Sequence, residues 1–84
     1  IYRGSWYKGK KDGFGIEKSS DGTIYSGEWR EGYKNGRGRI EKNNKKFSYG
    51  IWIEGQYELA STEAEITLFL INKYSFFNGF DKEI

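Results

Sequence analysis

Three tryptophans, Trp6, Trp29 and Trp52, stand 23 residues apart, and most of the glycines keep step with them. Gly4, Gly27 and Gly50 share that period, as do Gly9, Gly32 and Gly55. Gly13 and Gly36 follow, then Gly15 and Gly38, with Tyr2 and Tyr25 in one further register position. A fixed period of this length is the signature of a repeat architecture, in which one supersecondary unit recurs and neighbouring units cover one another. Each unit reads Tyr-x-Gly-x-Trp-x-x-Gly, three residues, then Gly-x-Gly.

Within the unit the local chemistry is that of short strands and tight turns. Tyr2, Gly4 and Trp6 alternate with Arg3, Ser5 and Tyr7, the period of a strand. Gly9 to Asp12 reads as a turn and Gly13 to Lys18 as the returning strand. Ser19 to Gly22 is a second turn, with Asp21-Gly22 as its hairpin signal. The pattern then recurs as strands over Ile24–Arg30, Gly36–Lys42 and Phe47–Ile53, with a turn at Asn43–Lys46. This predicts five antiparallel strands in a meander. The sixteen aromatic residues, twelve glycines and absence of proline fit it, since rings supply the buried area and glycine the turns. A glycine between Tyr and Trp leaves a gap in the wall of side chains, which a ring from a neighbouring strand can cover. A single layer of short strands cannot bury both of its faces, so the aromatic rows need a tail, a second copy or a ligand over them.

The unit resembles the MORN repeat (membrane occupation and recognition nexus). The matching residues are Tyr2, Gly4, Trp6, Gly9, Gly13 and Gly15, then Tyr25, Gly27, Trp29, Gly32, Gly36 and Gly38. A truncated third copy is carried by Gly50, Trp52 and Gly55. It departs from the pattern where Ser48 replaces the leading Tyr and Lys45 replaces the Gly that Gly22 supplies. The resemblance implies a mainly β fold, a single-layer antiparallel meander of MORN hairpins over residues 1–55. It also implies an interaction surface and no cofactor. Arrays of this kind form elongated, grooved sheets, sit in the cytoplasm where cytoskeleton meets membrane, and occur attached to lipid kinases and protein methyltransferases.

Residues 56–84 differ in composition and are expected to form a second, C-terminal segment that caps the array or serves as an interface. Thr62 with Glu65 fits a capping box, and Ile66, Phe69, Leu70, Lys73 and Tyr74 follow helical spacing, so a capping helix is expected over about Glu63–Lys73. A sixth strand is the alternative, because Ile66 to Ile71 is β-prone. Ile66, Phe69, Leu70, Tyr74 and Phe77 are the candidate cap or interface residues, since an aromatic cluster of this kind is too apolar to leave in water.

The residue inventory excludes several chemistries. Without Cys or His there is no disulfide, no Cys- or His-ligated metal site and no Ser-His-Asp arrangement. Gly13-x-Gly15 precedes no helix, so it is no dinucleotide loop. Glu17, Glu28, Glu31 and Glu41 occupy positions typical of exposed charge and mark no catalytic pair. The longest apolar run, Ile66 to Ile71, falls far short of the roughly 20 residues that span a bilayer. With no methionine, the chain reads as a piece of a longer one.

The net charge of +2 is uneven. Residues 1–55 carry twelve Lys/Arg and seven Asp/Glu, whereas residues 56–84 carry two and five. Arg37, Arg39, Lys42, Lys45 and Lys46 cluster around one strand and turn. They are the candidate anionic-lipid contacts, or a solvated edge on which Lys discourages sheet pairing. Nucleic acid is not an expected partner, because no nucleic-acid motif accompanies the modest basicity.

The expected function is that of a non-catalytic scaffold or adaptor. Its partner is a protein, cytoskeletal or membrane-associated, or a second copy in a homodimer. The aromatic face would receive it, through Tyr2, Trp6, Tyr25, Trp29 and Trp52, with Tyr7 and Tyr33 off the main row. Stiff rings of this kind make binding hot spots, and an apolar stripe suits an amphipathic helix. The competing reading is that the rings only pack on each other as the core of a thin sheet. Two alternatives stand beside this function: peripheral attachment to anionic phospholipid, and a regulatory array of a larger enzyme.

Overall fold

A computed structural model describes residues 1–42 and 45–73. The chain forms β1 (Tyr2–Tyr7), β2 (Lys10–Lys18), β3 (Ile24–Arg30), β4 (Tyr33–Glu41), β5 (Phe47–Ile53), β6 (Gln56–Ala60) and α1 (Glu63–Lys73). The strands make one antiparallel sheet in sequence order. The fold is therefore mainly β, as expected, and the helix occupies the predicted span.

The sheet holds six strands rather than five. β6 lacks the Gly-x-Gly signature, yet the Glu54–Gly55 turn that launches it repeats an earlier one. Lys8, Glu31 and Glu54 have φ of 51, 50 and 48°, and Gly9, Gly32 and Gly55 have 79, 90 and 88°. This two-residue left-handed turn is the connection that matches the twist of a hairpin. It also corrects the strand starts: β2 and β4 begin at Lys10 and Tyr33, three residues earlier than the glycines suggested. Lys45 reaches the left-handed region that Gly22 occupies in the first repeat, at φ 66° against 91°.

A row of glycines crosses the sheet at right angles to the strands. Gly4 faces Gly15, Gly15 faces Gly27, Gly27 faces Gly38 and Gly38 faces Gly50. A Cβ on Gly27 would collide with the backbone of Gly38, and one on Gly15 or Gly38 would enter the ring of Tyr2 or Tyr25. The row is the floor on which those rings lie. At β6 it stops, because Ala60 faces Gly50.

The two faces of the sheet close differently. On one, Tyr25, Trp29 and Trp52 form a buried cluster flanked by Tyr2 and Ile40. On the other, Phe14 and Ile16 of β2 pack against Ile66 and Leu70 of α1, with Ile24, Tyr49 and Phe69 around them. The helix thus lies across a sheet face. Its start follows from the capping box: Glu65 N–H donates to Thr62 Oγ1 at 3.2 Å, and Ser61 Oγ donates to Glu65 Oε1 at 2.7 Å. These bonds hold the Glu65 carboxyl below its ordinary range, the Ser61 hydroxyl being the largest cause. Its far end is tied by Lys73 Nζ to Glu28 Oε2 at 2.8 Å.

Candidate interaction surface

The aromatic row is a zipper of edge-to-face rings. Tyr2 meets Trp6 at 5.1 Å and Trp29 at 5.3 Å between centroids. Tyr25 meets Trp29 at 5.3 Å and Trp52 at 5.0 Å. These separations and near-perpendicular planes match the preferred quadrupole geometry of aromatic pairs. Each tyrosine is pinned by the same bond one repeat apart: Tyr2 Oη donates to the Ser5 carbonyl and Tyr25 Oη to the Glu28 carbonyl, both at 2.9 Å. The Trp29 indole N–H donates to the Gly15 carbonyl at 3.1 Å. Lys11 lies over the rings of Tyr2 and Trp29, and Lys34 over Tyr25.

Ser48, where the third copy departs from the pattern, leaves Trp52 without the tyrosine its own repeat would supply. Tyr57 of β6 takes that place from the neighbouring strand. Its ring lies 4.8 Å from Trp52 and beside Gly50, and its hydroxyl donates to the Tyr49 carbonyl at 3.0 Å. Trp52 therefore sits between Tyr25 and Tyr57, just as Trp29 sits between Tyr2 and Tyr25. Among the described residues, Trp6 has Tyr2 on one side only.

That difference decides which rings face solvent. Trp29 and Trp52 are 5% and 3% exposed and Tyr25 is 2%, whereas Trp6 is 58%. Of the seven rings expected to meet a partner, Tyr25, Trp29 and Trp52 are buried and Tyr2 is half-buried. Trp6, Tyr7 and Tyr33 stay exposed. Tyr7 and Tyr33 each flank one of the left-handed turns, paired with Lys10 and Arg30.

The Arg37 guanidinium lies 4.3 Å from the ring of Phe69 on α1, and Arg39 lies 4.8 Å from Phe47. Lys42, Lys45 and Lys46 are exposed beside the β4–β5 turn. Of the cap or interface candidates, Ile66 and Leu70 are core, and Phe69 is half-buried between Arg37 and Lys73. Tyr74 and Phe77 lie outside the described residues.

Besides β6 and Tyr57, two further features are not marked in the sequence. Glu28, placed there among the exposed carboxylates, is 9% exposed. It accepts the Arg37 backbone N–H at 2.9 Å besides pairing with Lys73. Leu68 and Ile71 form an exposed stripe on α1, and Leu59 of β6 is exposed beside Leu68. The spacing of Ala64, Leu68 and Ile71 carried that second stripe, but it was masked by the stronger one through Ile66 and Leu70.

Among the described residues, no group of acidic, His or Cys side chains is placed to hold a metal ion, and no helix is long and apolar enough to cross a membrane. A model of the MORN repeat matches residues 2–24 and again residues 25–47. That is more than half of the chain, which therefore belongs to the MORN repeat family. No curated protein matches it. MORN repeats are generally protein- and membrane-interaction modules and generally not catalytic.

Proposed function

We propose that this chain is a protein-interaction module of scaffold or adaptor type, without catalytic activity of its own. It would work in the cytoplasm at a junction of membrane and cytoskeleton. The observation that carries the reading is the exposure of Trp6 in a register whose other two members are buried. A large, stiff ring left 58% in water is the kind of anchor that dominates protein interfaces. The partner-facing surface is the β1 end of the sheet, with Trp6 and Tyr7 on β1 itself. The buried rings support that surface and do not touch the partner.

Lipid attachment is the second reading, favoured by the exposure of Lys42, Lys45 and Lys46 around one turn. Salt separates the two, because exposed charge is screened within about 8 Å at physiological ionic strength. The experiment is vesicle flotation with anionic liposomes at physiological salt, run beside photo-crosslinking from residue 6 in cells. The proposal expects the chain to stay at the bottom of the gradient and to crosslink to protein at residue 6. Flotation at physiological salt, lost on replacing the three lysines with glutamine, would replace it with the lipid reading.

A further inference from the structure

We propose that the outer edge of β6, with the groove between β6 and α1, receives an extended segment of another protein as a seventh strand, one that alternates apolar with basic residues. This surface is separate from Trp6, which lies at the opposite end of the sheet.

The edge is of a kind that this sheet already pairs. β6 closes its hairpin as β2 and β4 close theirs, each with a shift in register against the strand before it. On their other sides β2 and β4 pair with β3 and β5 without any shift. β6 presents the corresponding side, and among the described residues it pairs with β5 alone. The chain continues past this edge: Ser61 N–H donates to the Tyr49 carbonyl at 2.9 Å, and α1 then packs on the sheet face. The strand reads Gln-Tyr-Glu-Leu-Ala, exposed throughout, with neither lysine nor proline to guard it.

A groove beside the edge supplies selectivity. The shift between Ile51 and Trp52 puts Leu59 opposite Ile51, while Tyr57 stays opposite Trp52 in the ring row. Leu59 and Ile51 line a groove of about 520 Å³ with Leu68 and Phe69 of α1. That volume is within the range of ligand sites. Leu59 and Leu68 are 60% and 62% exposed. Leu68 also joins the groove to an apolar patch with Ala64, Thr67 and Ile71. A strand added beside β6 projects alternate side chains to opposite faces. One set enters the groove, and the other lies against the exposed flank of Tyr57. Backbone bonds to β6 supply affinity, and the groove selects the side chains.

Charge specifies the rest of the occupant. From Phe47 to Asn72 the chain has four glutamates and neither lysine nor arginine, although it carries fourteen of these elsewhere. Glu58 stands in the middle of the edge itself. Arg37 borders the groove, but its guanidinium lies on the Phe69 ring. A basic segment is therefore matched at the edge, and an acidic one is repelled. A ladder of five residues with one groove buries less than the roughly 1,200 Å² of a standard interface, so the complex is transient.

The test is selection of random displayed heptapeptides on the whole chain, followed by hydrogen exchange with a selected peptide bound. The expected peptides alternate apolar residues with Arg or Lys and lack a central proline, and they protect the outward-facing β6 amides. Leu68→Glu, at an exposed position, weakens binding at least tenfold with unchanged circular dichroism, whereas Trp6→Ala leaves binding unchanged. Should Leu68→Glu not fold, Glu58→Lys carries the same test and weakens the basic peptide several-fold. Peptides that bind without protecting β6, a preference for helical peptides, or no selection at all would overturn the proposal. So would β6 amides already protected in the chain alone at every dilution, since a segment of the same chain would then hold the edge. Any of these failures leaves the Trp6 surface to its own crosslinking test.

Discussion

Trp6 and Trp52 hold the same place in the repeat, and the first is 58% exposed while the second is 3%. Neither the residue nor its local backbone accounts for this, since both precede the same left-handed turn. The cause is the neighbour. Trp52 lies on a strand flanked on both sides, by β4 and β6, and meets Tyr25 of the preceding repeat besides Tyr57, whereas among the described residues Trp6 has β2 beside it and Tyr2 alone. Trp29 and Trp52 are each covered by the tyrosine of the repeat before them, and a residue outside the pattern, Tyr57, restores the ring that the third copy has lost. The two faces differ as well: the ring zipper fills one, and α1 packs on the other.

The largest effect expected of this contrast is on stability. Trp29→Ala should cost about 3–5 kcal/mol, the usual loss for a buried large aromatic. Trp6→Ala, at the same register, should cost under about 1 kcal/mol, as exposed positions do. Chemical denaturation of both variants measures the gap. Leu70→Ala probes the other face and should cost about 2–5 kcal/mol. Loss of the helix signal before the sheet in that variant would show that the faces close independently.

Glycines sort in the same way. Gly38→Ala puts a methyl into the Tyr25 ring and should cost about 1–3 kcal/mol through displaced packing. Gly9→Ala meets open space, so only its positive φ resists, at roughly 1 kcal/mol. Thermal melts of the pair separate crowding from backbone strain.

The smallest effects are those of pH. Burial, with Asp12 and Glu17 nearby, pushes the Tyr2 phenol from 10.0 up to about 12. The folded chain therefore holds that proton more tightly than the unfolded one. The contribution is complete below pH 10 and is lost as pH climbs toward 12. A stability titration should show this alkaline step, and Tyr2→Phe should remove it. Glu65 has the opposite sign: its carboxyl is held below 4.5, so its cap is intact above that value and is lost as the pH falls below it. Glu65→Gln should flatten the acid limb of the same titration.

Much of this was legible from spacing. The period placed the strands, the glycines marked where rings or backbones approach, and Thr62 with Glu65 fixed the start of the helix. β6 was not legible, because its pairing comes from the turn at Glu54–Gly55 while its own residues carry no repeat mark. Tyr57 was hidden for the same reason, since it fills from a neighbouring strand a place vacated nine residues earlier. Glu28 was misjudged because alternation puts it on the face away from the rings, and only the returning helix, forty residues on, makes that face an interior. Which tryptophan stays open depends on strand order at the edges, and spacing alone treats all three alike.

The most direct test is acrylamide quenching of tryptophan fluorescence in the unsubstituted chain and in Trp6→Phe. One red-shifted, quencher-accessible population beside a blue-shifted, protected one is expected, and Trp6→Phe should remove only the first. An accessible population that persists in Trp6→Phe would place Trp29 or Trp52 in water, and the closed ring row would then not exist.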